Sequence, residues 1–173
     1  MKMTVAKALK LKNRLASKLE NVSEYITKYN SVLVGQQRLI NIKGFMKNRG
    51  AIINALIDVK TLINIANAPI QSKIYLLAEL KGTIVFYKGI DTAHGKKVKS
   101  SPWDDAATVC DTTAIYNMVN IQQMIEDVEK QIDDVQDVLD KHNHTMEIDV
   151  DDYYIKLLTT DLGLTSKNDC QDN

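Results

Sequence analysis

Ile121-Gln-Gln-Met-Ile125-Glu-Asp-Val128-Glu-Lys-Gln-Ile132-Asp-Asp-Val135-Gln-Asp-Val-Leu139 spaces its apolar residues four and three apart in strict alternation. That interval keeps one side chain per turn on a single stripe of an α-helix, so the stretch predicts a coiled-coil-like arm, with Asn120 placed to cap it. The residues between are acidic: Glu126, Asp127, Glu129, Asp133, Asp134, Asp137 and Asp140. They surround a regular apolar seam and lack the glycine turn of a calcium loop, so they read as a solvated helix face.

Working outward, the same periodicity recurs. Val5, Ala8, Leu11, Leu15, Leu19, Val22 and Ile26 form a second seam behind Thr4, a natural N-cap. Ile52, Leu56, Val59, Ile63 and Ala66 form a third, which Pro69 interrupts because proline disfavours a helical residue before it. Asn67-Ala68-Pro69 therefore reads as a helical hairpin corner, and Ile70, Ile74, Leu77, Leu80 and Ile84 as the next helix, with β propensity rising through Thr83 to Tyr87. Residues 31–34 and 38–43, either side of Gly35, alternate like a short hairpin, and residues 145–150 alternate like a further strand. The expected fold is mainly α: long antiparallel helices, a helical hairpin plus the coiled-coil-like arm, with a small β-hairpin element. Residues 1–165 are expected to form a single helical domain and 166–173 a flexible C-terminal tail. Residues 89–103 are the one long loop expected.

The formal charge of zero is a cancellation. Residues 1–103 carry 18 Lys/Arg against 5 Asp/Glu, and residues 104–173 carry 4 against 17. Such a split either neutralises itself inside the fold or presents a cationic face to an anionic partner. Two cysteines, Cys110 and Cys170, and a charged opening segment without an apolar signal core point to a reducing cytoplasm, and the Lys/Asn/Ile-rich composition suits an AT-rich bacterium or phage. The longest uncharged run, residues 112–125, falls short of the roughly 20 apolar residues of a spanning helix, so no membrane partner is expected.

Three pieces carry a family resemblance: Met3-Thr-Val-Ala-Lys-Ala-Leu9 running into a Lys/Arg-bearing heptad, Ile65-Ala-Asn67, and Asn143-His-Thr-Met-Glu-Ile148. In that order they resemble the septicolysin-like family, small bacterial and phage proteins of unassigned biochemistry. The family more often has an aromatic residue after the asparagine where this chain has His144, so no role of that ring carries over. The resemblance implies an antiparallel helical body assembled as a homo-oligomer, and it supplies no catalytic residues. Lysis of membranes is not expected, since each seam is bordered by Lys, Asp or Asn.

No motif for catalysis is found. Gly89 and Gly95-Lys96-Lys97 have five residues between the glycines where a nucleotide-hydrolase phosphate loop has four, and Lys97 stands in place of the magnesium-binding hydroxyl. Cys110 has no histidine near in sequence and no nucleophile elbow, although His94 could approach it in the fold. His142 and His144 point to different faces of a helix, so no metal site is expected. What remains is a cationic loop able to fold over an anion, with Trp103 beside it as a stacking face for a nucleobase or as a packing anchor. Arg38 and Arg49 offer planar guanidinium groups for a phosphate, or for pairing with the acidic helix.

These residues predict a non-enzymatic oligomer, without cofactor, that sequesters a small anionic ligand such as a cyclic nucleotide or ADP-ribose derivative. Its design is similar in type to phage anti-defence sponges. The expected ligand-binding set is Arg38, Arg49, Tyr87, His94, Lys96, Lys97 and Trp103. The alternative is a structural protein that assembles through its complementary basic and acidic helices. Nucleic acid is not an expected partner, because the lysines are spread over several elements without a recognition motif.

Overall fold

The computed structural model describes residues 1–38, 40–101 and 104–159, with backbone alone at 97–101 and 104–108. The chain is mainly helical. In order, it runs β1 (Lys2–Thr4), α1 (Val5–Tyr29), α2 (Ile42–Asn67), a 3-10 turn (Ala68–Ile70), α3 (Gln71–Lys88), β2 (Gly95–Ser101), β3 (Asp104–Thr112), α4 (Met118–Thr145), β4 (Glu147–Asp149) and α5 (Asp152–Thr159). It divides into two compact units, Met1–Pro69 with Lys141–Asn173, and Ile70–Asp140. The expected tail at 166–173 and the expected domain end at 165 lie outside the described residues.

The first unit is built on the antiparallel pair α1 and α2. Thr4 Oγ1 accepts the Lys7 N–H and opens α1, as the sequence predicts. Of the predicted seam, Val5, Ala8, Leu11, Leu15 and Val22 are buried, while Leu19 and Ile26 pack at its edge. Across from them Ile52, Leu56, Val59, Ile63 and Ala66 are buried too, joined by Phe45 and Ala55. The α2 helix starts earlier than its apolar seam because Asn41 Oδ1 accepts the Gly44 N–H at 2.9 Å. Against one end of this pair lies a two-stranded sheet in which Lys2, Met3 and Thr4 oppose Asp149, Ile148 and Glu147. The strand expected at 145–150 is thus present in shorter form, with the opening residues as its partner. The α5 helix, with Asp151 Oδ1 accepting the Tyr153 N–H, adds Leu157 to the same core.

The second unit holds a smaller core of Leu80, Val128, Val135 and Leu139, with Ile70, Ile74, Leu77, Ile84, Tyr87 and Ile132 packed on it. Both predicted seams, on α3 and α4, meet there. The cap of α4 is Asn117 rather than Asn120: Asn117 Oδ1 accepts the Asn120 N–H at 2.9 Å, and Asn120 Oδ1 returns the bond to Asn117 N–H at 3.1 Å. Asn120 takes the capping-box partner position three residues on.

Three local expectations are corrected. Asn67-Ala68-Pro69 is no hairpin corner; helical backbone runs from Ile42 to Lys88, and the chain passes Pro69 in one 3-10 turn. Proline lacks an N–H, and the Ala68 N–H already turns to the i−3 carbonyl of Ile65, so the missing donor leaves the helical path intact. This 47-residue run contains a window of mean hydropathy 1.3, one third buried, and by length and composition it could cross a membrane, although no uncharged run in the chain is that long.

The second correction concerns residues 31–43, where no hairpin forms among the described residues. Gly35 turns the chain with φ +87°, and Gln36 N–H meets Leu33 C=O at 3.0 Å, but Leu33 and Val34 stay exposed with no sheet to cover them. Third, of the loop expected over residues 89–103, residues 95–101 form a strand and 102–103 lie outside the described residues. From Gly95, at φ +98°, the chain enters a hairpin that pairs Lys96 with Asp111, Lys97 with Cys110 and Val98 with Val109. β-branched Val109 and Thr112 on the return strand, and a lysine opposite an aspartate, favour the ladder over a solvated lid.

Two alkaline transitions follow. The Met1 ammonium lies 2.9 Å from Asp152 and 3.2 Å from Asp149, and hydrogen bonds to Asp152 and then Asp149 raise its pKa above the ordinary 8.0. The native state holds this proton more tightly than the unfolded chain, so the stabilisation is full below about pH 8 and is lost as pH rises through the folded pKa. Thermal melts between pH 8 and 10 should fall more steeply for the parent than for Asp149→Asn/Asp152→Asn. Separately, the Tyr154 hydroxyl donates to Asp58 Oδ2 at 2.6 Å, and this bond, with lesser help from desolvation, pushes the phenol up to about 12. Ultraviolet titration should show one late tyrosine, which Asp58→Asn returns to about 10.

Candidate functional site

In the first unit α1 carries a polar stripe beside its apolar seam. Arg14, Lys18, Asn21 and Tyr25 step four, three and four residues, and Asn13 and Ser17 lie alongside. With Leu158 of α5 these six residues line an open recess of about 480 Å³. The volume falls in the range of small-molecule sites, although the lining here is more polar than most. The recess exists because Leu15 and Val22 hold α1 on the core while α5 docks beside the helix.

Lys18 fixes the wall by donating from Nζ to Leu158 C=O at 2.9 Å, one of the last carbonyls of α5, where a cation also meets the negative end of the helix dipole. Arg14 is exposed and has no intramolecular partner among the described residues. At the far end Tyr25 stacks on Tyr29 and meets Phe45 edge-on, each at 6.0 Å between ring centres. Its position is set by packing, with about half of the residue still open to solvent. At 1.5 Å per residue, Lys18 and Tyr25 are about 10 Å apart along α1. A phosphate at Arg14 and Lys18 and an aromatic base at Tyr25 fit that separation, with Asn13, Ser17 and Asn21 supplying neutral donors and acceptors between them.

The residues selected from sequence are distributed differently. Arg38 and Arg49 belong to the first unit but neither lines the recess. Arg38 Nη1 donates to Asn30 C=O at 2.7 Å, and half-buried Arg49 donates from Nε to Ser23 Oγ at 3.0 Å, so both tie elements of the fold together. Tyr87, His94, Lys96 and Lys97 belong to the second unit. Tyr87 is half-buried against the small core and 5.8 Å from the Phe86 ring, which is a packing role. His94 and Lys96 are exposed where β2 begins. Lys97 is placed by its backbone in β2, and its side chain and the whole of Trp103 lie outside the described residues.

The charge split takes a different form in space. The first unit carries 15 Lys/Arg against 10 Asp/Glu and the second 7 against 12, because the acidic α4 packs with the lysine-bearing α3. Three of the α4 carboxylates are met from within their own helix: Gln122 donates to Glu126 at 3.2 Å, Gln123 to Asp127 at 3.2 Å and Gln136 to Asp140 at 3.0 Å, and Lys130 pairs with Asp127 at 3.6 Å. Among the described residues no three His, Cys, Asp or Glu side chains gather as a metal site.

Sequence reasoning passed over Arg14 and Lys18 because they sit on a regular amphipathic helix, where basic residues beside an apolar seam ordinarily mean solvent. The signal available was their stripe with Asn13, Ser17, Asn21 and Tyr25, which mixes charge, amide and aromatic chemistry. Comparison with known proteins supplies no relative: no family, no curated protein and no solved structure matches this chain.

Proposed function

We propose that this chain is a non-enzymatic binding protein that sequesters a small anionic molecule of nucleotide type, with the α1–α5 recess as its site. The observation that supports this is the unpartnered Arg14 guanidinium set one turn from Lys18, on the same face as an exposed tyrosine. Charge-assisted hydrogen bonds contribute about 1.5–3 kcal/mol each and base stacking about 1–3 kcal/mol. Against the cost of immobilising the ligand, contacts of this number and kind support micromolar binding by one chain, about −8 kcal/mol. A cyclic nucleotide or an ADP-ribose derivative has the required phosphate and base, and depletion of such a signal is how a phage anti-defence sponge acts.

Calorimetry and native mass spectrometry with cyclic mononucleotides, cyclic dinucleotides and ADP-ribose derivatives should detect uptake of at least one. Arg14→Ala and Lys18→Ala should each weaken it at least tenfold, and Arg38→Ala should leave it unchanged. Failure of the whole panel to bind, or binding indifferent to Arg14→Ala, overturns the proposal.

A second reading has its own support. Glu129, Asp133, Asp134 and Asp137 on α4, and Lys7, Lys10, Lys43 and Lys47 on the helices of the first unit, hold no ion pair among the described residues. Complementary charged faces of this kind suit assembly between copies, and such an assembly loosens with ionic strength as the Debye length shrinks to about 3 Å at 1 M. Sedimentation in 0.05 and 1 M salt tests it: an oligomer of unchanged mass in both rules charge pairing out as its cause.

A further inference from the structure

The α3 helix is apolar nearly all round, yet α4 covers only one side of it. On the covered side are Ile70, Ile74, Leu77, Leu80 and Ile84. At 100° per residue Lys73, Lys81 and Lys88 fall within about 50° of the centre of that same side, so the charge of α3 is drawn toward the acidic helix. The opposite side is free of lysine. It presents Ser72, Tyr75, Ala78, Glu79, Gly82 and Phe86, flanked by Leu76 and Val85. Tyr75 is 64% exposed, Leu76 41%, Val85 72% and Phe86 66%. A helix apolar on both sides is ordinarily buried on both.

The large apolar residues of this outer side, unlike its small and polar ones, are mirrored about a point between Leu80 and Lys81. Reflected through it, Tyr75 exchanges with Phe86, Leu76 with Val85, Ala78 with Thr83, Glu79 with Gly82 and Ser72 with Gly89. A two-fold interface has this requirement, that each patch complement itself with residue i meeting j and j meeting i. The centre is also shaped for close approach. A Cβ added at Gly82 would meet nothing within 4 Å, and the Thr83 hydroxyl is turned back to Glu79 C=O at 2.9 Å, so it needs no partner across an interface.

We infer that α3 pairs antiparallel with α3 of a second copy of this chain, about a two-fold axis passing between Leu80 and Lys81. Each aromatic ring of one copy lies on the other's opposite aromatic, Tyr75 on Phe86. Leu76 and Val85 border the seam on its two opposite flanks, and Glu79 reaches out past the bare Gly82 of its partner. Four aromatic rings about two-thirds exposed, each able to bury roughly 150–250 Å² in full, contribute about 500 Å², and the small residues between them with the near edges of Leu76 and Val85 bring the pair to about 800–1,000 Å². That is the low end for a specific interface, so the dimer is reversible and concentration-dependent. Being apolar, it is insensitive to salt, unlike assembly through charged faces, and it does not depend on the α1–α5 recess.

Analytical ultracentrifugation of the full chain over a concentration series, in 0.05 and 1 M salt, should show a monomer–dimer equilibrium that salt does not weaken. Phe86→Lys should raise the dissociation constant at least tenfold with the helical circular dichroism kept. Glu79→Gln, which removes two like charges from near the axis, should lower it several-fold, a gain that a loss of folding cannot imitate. For the register, nitroxides at Ser72, with Cys110 and Cys170 replaced by serine, should lie about 25 Å apart along the helices. Parallel pairing would hold them within about 10 Å. A monomer at every concentration, dissociation by 1 M salt, no response to Phe86→Lys, weakening by Glu79→Gln, or the short label distance each overturns the inference.

Discussion

The apolar contact between α1 and α2 is the constraint on which the first unit depends. Leu15, Val22, Ile52 and Val59 are fully buried along it, and deletion of side-chain volume from such a seam typically costs about 2–5 kcal/mol. Everything else in the unit leans on that pair. Met3 and Ile148, one from each strand of the small sheet, are buried on the same core, and Leu157 brings α5 to it. The recess is a by-product of that docking. The residues that hold α1 to α2 alternate along the helix with Arg14, Lys18 and Tyr25, so the framework that stabilises the unit also sets the spacing of its polar stripe.

Helices were legible wherever apolar residues recur at three and four over several turns, as at Ile121 to Leu139 and Val5 to Ile26, because one stripe buried by one neighbour leaves that imprint whatever the neighbour is. Strands were less so. Alternation at 31–43 met the pattern, but a strand needs a partner, and among the described residues Leu33 and Val34 are exposed outside any strand. The hairpin at 95–112 hid behind Lys96, Lys97 and Lys99, which resemble loop composition until Asp111 is known to stand opposite Lys96. The pairing of Lys2 with Asp149 lies beyond any local window. The candidate site failed to show for the same reason: its side chains are local to α1, but Leu158, which turns a helix face into a recess, arrives from α5.

Charge, too, changes meaning once the chain is folded. Divided by position the two ends of the sequence are strongly opposed, yet the structural division falls at Pro69 and Lys141 and leaves each unit with only a modest excess. Three carboxylates of the acidic helix accept from its own glutamines one turn away, an arrangement worth about 0.2–0.5 kcal/mol a pair. Arg38 and Arg49, the best anion ligands on chemical grounds, donate to a carbonyl and a hydroxyl of their own unit, whereas Arg14 holds no intramolecular partner among the described residues.

The second unit is an insertion: the first opens with Met1–Pro69 and is completed only by the chain after Asp140. On the ribosome this imposes an order of events. The α1–α2 pair emerges early with part of its apolar surface uncovered, whereas β4 is translated 147 positions after its partner Lys2. At about 5–20 residues per second that delay is roughly 7 to 30 s. Ile70–Asp140 is contiguous in the chain, so all of its residues are made before the last strand and helix that complete the earlier-starting unit.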